Sequence, residues 1–185
     1  MNSNETTIDG IRIPDADAIA KLRADLRPDI KTTPVFDRND FPTVAGTTVQ
    51  FKFEFLQVSG TFKARGAFAN MLALDAAARG VTCISSGNHA VAVAYAAMRL
   101  GIGAKVVMLK TSSPARLALC RRYGAEVLIA EDGPSGFARV REIEREEGRF
   151  FVHPYNGSRT ILGSATLGAE WVEQCTRDAW AVSMR

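Results

Sequence analysis

Histidine and cysteine are scarce in this chain. Its 185 residues include two histidines, His89 and His153, and three cysteines, Cys83, Cys120 and Cys175. There is no C-x-x-C and no H-E-x-x-H, so the spacing supports no metal site. An odd number of widely separated cysteines argues against a disulfide framework and fits small buried thiols in a reducing compartment. No apolar run approaches the ~18 residues of a membrane span. The N-terminal stretch MNSNETTIDG lacks the apolar core of a signal peptide. The cytoplasm is therefore the expected location. Charge of one sign is also missing. The 23 basic residues stand against 20 acidic ones, a net +3, with no dense basic cluster of the kind that grips nucleic acid. Neither nucleic acid nor membrane is an expected partner. Lysine is rare as well, with six lysines against seventeen arginines.

What is present reads as a globular protein. Apolar residues make 46% and charged residues 23% of the chain, ordinary values for a packed domain. The length suits one domain or two small ones at about 150 residues each. Residues 1–11 read as loose. Residues 15–26 carry apolar side chains at helical spacing behind a capping Asp15, and Pro28 ends that helix. Residues 48–55, TVQFKFEF, alternate like a half-buried strand. The period then changes. Helices are expected over 63–79, 88–100, 114–123, 134–147 and 160–176, and strands over 81–84, 104–109, 126–130 and 149–154. Alternation of this kind predicts an α/β fold of three layers, αβα, with an open parallel sheet covered on both faces. The tract ARVREIEREEGR reads as a solvated helix face that turns Phe137, Val140 and Ile143 inward.

Two stretches can carry chemistry. In SGTFKARG, Ser59 and Gly60 form a close turn, Thr61 can cap, and Lys63 opens a helix. The plain alternative is a capped helix start with a solvent lysine. A serine hydrolase S-x-x-K would need serine at the position of Gly60, and no P-loop pattern occurs. In SSGNHA, residues 85–90, a strand ends and a helix begins. That is where ligands bind in open parallel sheets. The unpaired N–H groups of a helix start suit a carboxylate. The plain alternative here is a helix cap with a buried His89. GIGAKV has Val106 where a dinucleotide fingerprint needs its third glycine, and His153 reads as a strand-end residue. Taken together, a lysine beside an anion-binding turn is what an imine-forming enzyme requires: an amine for an aldehyde and a cradle for a substrate carboxylate.

At this point the sequence resembles a known family. EFLQVSGTFKARGA is similar to the lysine motif, and SSGNHAVAVAYAA to the asparagine loop, of the fold-type II pyridoxal-phosphate enzymes, the tryptophan synthase β-like group. TTPVF, RRYGAEVLI and FVHPYNGSRTILGSATLG follow in the family's order. The closest likeness is to the threonine/serine dehydratase and serine racemase branch, over about residues 29–168.

The resemblance implies pyridoxal 5'-phosphate as cofactor, bonded through Lys63 as an imine. Phe62 packs near its ring and Asn88 bonds its ring hydroxyl. Ser86, Gly87, Asn88 and His89 hold the substrate carboxylate, and Ser86 also serves as acid/base on the second face of the substrate. The implied reaction is α,β-elimination from a small hydroxy amino acid, threonine or serine, giving a 2-oxo acid and ammonia. A racemase of the same family is the alternative, and a non-catalytic fragment is a second one. A homo-oligomer is also implied. Departures from the pattern are Val91 for a glutamine, Leu109 for a proline, and GSAT at 163–166 for GQGT. The family's glycine-rich phosphate loop would come after Arg185. The expected organisation is therefore a first part of the large domain over 1–83, a small α/β domain over 84–158, and the start of an incomplete returning segment over 159–185. The alanine-rich helix after Lys63 and the last helix are expected to leave apolar surface bare.

Overall fold

The computed structural model describes residues 7–8, 11–37 and 49–183. Two short strands, β1 (Thr7–Ile8) and β2 (Ile11–Arg12), pair antiparallel where a loose terminus was expected. Helix α1 (Ala16–Leu26) starts as its sequence predicts, with Asp15 Oδ1 accepting the Ala18 N–H at 2.8 Å. Strands β3 (Val35–Asp37) and β4 (Gln50–Lys52) form a second antiparallel pair in which Phe36 faces Phe51. The alternating run 48–55 is thus strand only through Lys52, and its residue 48 lies outside the described residues. A 3-10 turn follows at Glu54–Leu56 because Glu54 is buried and drawn inward by a cation.

Helix α2 (Lys63–Met71) is shorter than the expected 63–79. Asp75 nucleates a turn of its own: its Oδ1 accepts the Ala77 N–H at 2.7 Å and its carbonyl accepts the Ala78 N–H at 3.0 Å. Such side-chain bonds compete with helix continuation. The rest alternates as expected: β5 (Val81–Ile84), α3 (Asn88–Leu100), β6 (Ala104–Leu109), α4 (Pro114–Arg122), β7 (Glu126–Ala130), α5 (Gly133–Glu147), β8 (Phe150–Phe151) and α6 (Ser158–Ser183). The last strand is two residues rather than six, since beyond Val152 the chain serves side chains instead of a neighbouring strand. The last helix starts two residues early and runs to Ser183.

The four strands β5 to β8 make one parallel sheet in the order β7-β6-β5-β8. The pleat sends alternate side chains to opposite faces. Val81, Cys83, Val106 and Met108 pack with α3 and α4, whereas Ile84 and Val107 pack with Val140 and Ile143 of α5. Both faces are therefore covered, and all four strands point their C-terminal ends at one crevice.

Helix α2 does not carry the bare apolar face that was expected. Ala64, Ala67, Phe68 and Ala69 are buried between α3 and α6. On α6, Val172 remains 65% exposed. The approach of α2 to α6 is close. A Cβ built on Gly163 would sit 2.6 Å from Arg65 O and 2.7 Å from Gly66 Cα.

A buried polar network ties these helices to the N-terminal segment. Arg65, 1% exposed, donates from Nε and Nη2 to both oxygens of Glu54, at 3.0 and 2.8 Å, and from Nη2 to Glu170 Oε2 at 3.1 Å. Lys52 Nζ donates to Glu170 Oε1 at 2.6 Å, and Thr33 Oγ1 to Glu54 Oε1 at 2.6 Å. Burial pushes the Glu170 carboxyl up, but Lys52 and Arg65 outweigh it and hold the group below its ordinary range.

Candidate active site

The lysine turn is built from two left-handed residues. Ser59 (φ 59°) and Gly60 (φ 72°) reverse the chain ahead of α2. Holding serine there costs about 1–2 kcal/mol. Thr61 Oγ1 accepts the Lys63 N–H at 3.4 Å. The turn delivers Lys63 half-buried, with Nζ donating to Pro154 O at 2.8 Å. The rings of Phe62 and Tyr155 lie 5.2 and 5.1 Å from Nζ. No carboxylate pairs with Nζ among the described residues, and burial holds its pKa below the ordinary lysine value. The amine is therefore easier to deprotonate than a surface lysine.

The second turn sits at the end of β5. Gly87 N–H is held by Ser85 Oγ at 3.0 Å, and Gly87 stands at the N-cap of α3 with no side chain capping the helix. A Cβ built on Gly87 would meet nothing within 4 Å, so the space beside these amides is open. Ser86 and Asn88 are exposed, and Asn88 Oδ1 accepts from Arg116 Nη2 at 3.3 Å. His89 behaves differently. Its ring is buried, with Nε2 donating to Val152 O at 2.9 Å, and burial brings its pKa down to about 4. Its imidazole is neutral and committed to the core.

The segment 152–154 joins the two turns. Val152 O takes His89 and Pro154 O takes Lys63. Lys63 and His89 are close enough that the lysine charge also depresses the histidine pKa. Lys63, Phe62 and the 86–89 turn are thereby gathered at one end of the sheet. A cavity of about 420 Å³ opens beside Lys63, lined by Lys63, Pro154, Tyr155, Thr160, Ile161, Ser164 and Ala165; Phe62 and the 86–89 turn are not part of its lining. Tyr155 did not stand out in the sequence, although it follows a strand at the end where ligands bind. His153, read as a strand-end residue, organises that loop: its Nδ1 accepts the N–H groups of Tyr155 and Asn156 at 3.1 and 2.9 Å.

A larger polar cavity, about 460 Å³, lies beside Arg65 and Glu170. Its one deeply buried cation is already bound by two carboxylates, so it offers no free reactive group. The thiols offer none either. Burial pushes Cys83 well above its ordinary value and Cys120 up to about 11, and a reactive thiol needs the opposite shift.

Comparison with known proteins identifies the family. Residues 26–184 match the family model described as "Pyridoxal-phosphate dependent enzyme". The chain is 67% identical over 171 residues to a phenylserine dehydratase of Ralstonia pickettii, covering 91% of this chain and 52% of that protein. It is 38% identical over 152 residues to a serine racemase of Arabidopsis thaliana, covering 80% of this chain and 46% of that protein. Among solved structures, the maize serine racemase superposes with a TM-score of 0.81 at 33% identity, covering 86% of this chain and 50% of that one. The chain spans about half the length of the curated relatives it matches. With most of its length inside the family model, the chain belongs to the family of pyridoxal-phosphate dependent enzymes.

Proposed function

We propose that this chain carries the lysine side of a pyridoxal-phosphate-dependent lyase site that dehydrates β-hydroxy-α-amino acids to 2-oxo acids and ammonia. One observation carries the reading. Lys63 presents an amine with a lowered pKa and no carboxylate partner among the described residues, between two aromatic faces and next to an uncapped helix start. The residues fit pyridoxal 5'-phosphate: an amine for its aldehyde, Phe62 as a flat neighbour for its ring, and Asn88 of the second turn for its ring hydroxyl.

When bound, the cofactor withdraws electrons through its conjugated ring and acidifies the substrate Cα–H. Lys63 would hold the cofactor through its aldehyde, and its amine, when free, would take the Cα proton as general base. Its depressed pKa favours the neutral amine that this step needs. The backbone N–H groups at the start of α3, in the turn of Ser86, Gly87, Asn88 and His89, hold the substrate carboxylate. The exposed Ser86 hydroxyl stands ready as acid/base on the opposite face. Loss of the β-hydroxyl as water and hydrolysis complete the balance.

Dehydration is favoured over racemisation because the relative at 67% identity is a dehydratase, whereas the serine racemase stands at 38%. The same comparison extends the substrate from threonine and serine to a hydroxy amino acid with an aromatic β-substituent. A cytoplasmic location and a homo-oligomer belong to the same reading, as does the division into 1–83, 84–158 and 159–185. Among the described residues, no helix is long and apolar enough to cross a membrane.

The test is spectroscopic. Mixing the chain with pyridoxal 5'-phosphate should produce the visible absorption band of a lysine-bound cofactor, and Lys63→Ala should lose it. No band in the native sequence, or an unchanged band in the variant, contradicts the reading.

A further inference from the structure

We propose that Tyr155 selects an aromatic β-substituent on the substrate by offering its ring face as a stacking platform. The proposal rests on the lysine reading above. Tyr155 is 73% exposed, although large aromatic residues usually bury much of their surface, and its ring centroid lies 5.1 Å from the reactive amine.

This exposed ring is held in place. His153 Nδ1 accepts the N–H groups of both Tyr155 and Asn156, at 3.1 and 2.9 Å, which fixes the backbone that bears it. The carbonyl just before it, on Pro154, takes the Lys63 ammonium. The ring of His153 stands edge-on to Tyr155 at 6.2 Å. Behind His153 stand Phe151 at 5.3 Å and Phe137 at 6.0 Å. Tyr155 is thus the open end of a row of aromatic rings. A surface ordered before its ligand arrives loses little entropy on binding.

Placement supplies the selectivity. With the cofactor held by Lys63, an incoming substrate nitrogen would replace Lys63 Nζ, 5.1 Å from the Tyr155 centroid. From that distance, a ring a few bonds from the nitrogen can reach the roughly 4.5–7 Å at which aromatic rings pair. A phenyl group on Cβ has a face to stack. The methyl of threonine and the hydrogen of serine have none. Ile161 and Ala165 add apolar side chains to the lining of the same cavity, beside Thr160 and Ser164.

The test titrates the cofactor-loaded chain with L-phenylalanine and L-alanine. Neither has a β-hydroxyl to lose, so each is read as the shift of the visible band when it displaces Lys63. Tyr155→Leu keeps apolar bulk but removes the ring face. It should lower the phenylalanine-to-alanine affinity ratio by roughly 2- to 12-fold, the span of one aromatic pair. Tyr155→Phe should keep the ratio. An unchanged ratio in Tyr155→Leu, with its band intact, overturns the platform. Absence of the band in the native sequence overturns the lysine reading itself, and the platform with it.

Discussion

Replacing Gly163 by alanine perturbs the contact on which the placement of Lys63 depends. The added Cβ would lie 2.6 Å from Arg65 O, 2.7 Å from Gly66 Cα and 2.8 Å from Arg65 C. Carbon atoms in good contact stand about 3.5 Å apart or more, so α6 must retreat from α2 by roughly 0.8 Å. The obstructing atoms are backbone, and no change of rotamer relieves them. The same retreat stretches the Arg65 Nη2 to Glu170 Oε2 bond, now 3.1 Å, beyond useful length. Overpacking of this kind costs about 1–3 kcal/mol, and the weakened charge-assisted bond adds about 1 kcal/mol. Alanine returns about 1 kcal/mol of helix propensity. The net expectation is a loss of about 1–3 kcal/mol, read from the urea midpoint at constant slope. Gly66→Ala provides the contrast. Its Cβ would find its nearest neighbour, Thr160 O, at 3.4 Å, an ordinary contact, so helix propensity should leave that variant neutral or slightly stabilised. If Gly163→Ala is as stable as the native sequence, or the two glycines behave alike, the close helix crossing is refuted.

The buried His89 predicts a pH dependence. Its folded pKa, about 4, lies below the unfolded value near 6.5, so its contribution is complete above pH ~6.5 and is lost as pH falls toward 4. The loss amounts to about 3 kcal/mol. The stability difference between native sequence and His89→Gln, measured across that window by denaturant titration, should track it; a constant difference would show that the ring is not buried neutral. Arg65→Met strands the Glu54 carboxylate in the interior and should cost about 3–5 kcal/mol in the same assay. A cost below 1 kcal/mol, typical of exposed pairs such as Arg141–Glu144, would contradict a buried network.

Local pattern made much of the fold legible. The strands Val81–Ile84, Ala104–Leu109 and Glu126–Ala130, and the helix Asn88–Leu100 with its glycine stop, lie where hydrophobic period and punctuation put them. Expectation and structure part where a distant partner decides. The alternation of 48–55 implies a strand, but Glu54 is claimed by Arg65, eleven residues on, and the chain turns inward to meet it. The tie from Arg65 to Glu170 spans 105 residues, beyond the reach of any periodicity. Asp75 shortens α2 through a bond to a backbone amide only two residues away, a signal that the alanine-rich run around it concealed. At the site, Lys63 and the 86–89 turn are readable as motifs. The loop carrying Tyr155 is not, because its importance comes from the carbonyls of Val152 and Pro154 binding His89 and Lys63.

Reductive trapping tests the central claim most directly. The chain would be incubated with pyridoxal 5'-phosphate, treated with borohydride, digested, and its peptides mapped by mass. The account predicts a single phosphopyridoxyl mark on Lys63, formed ahead of the other five lysines. A mark spread over the surface lysines, or one that spares Lys63, would contradict it.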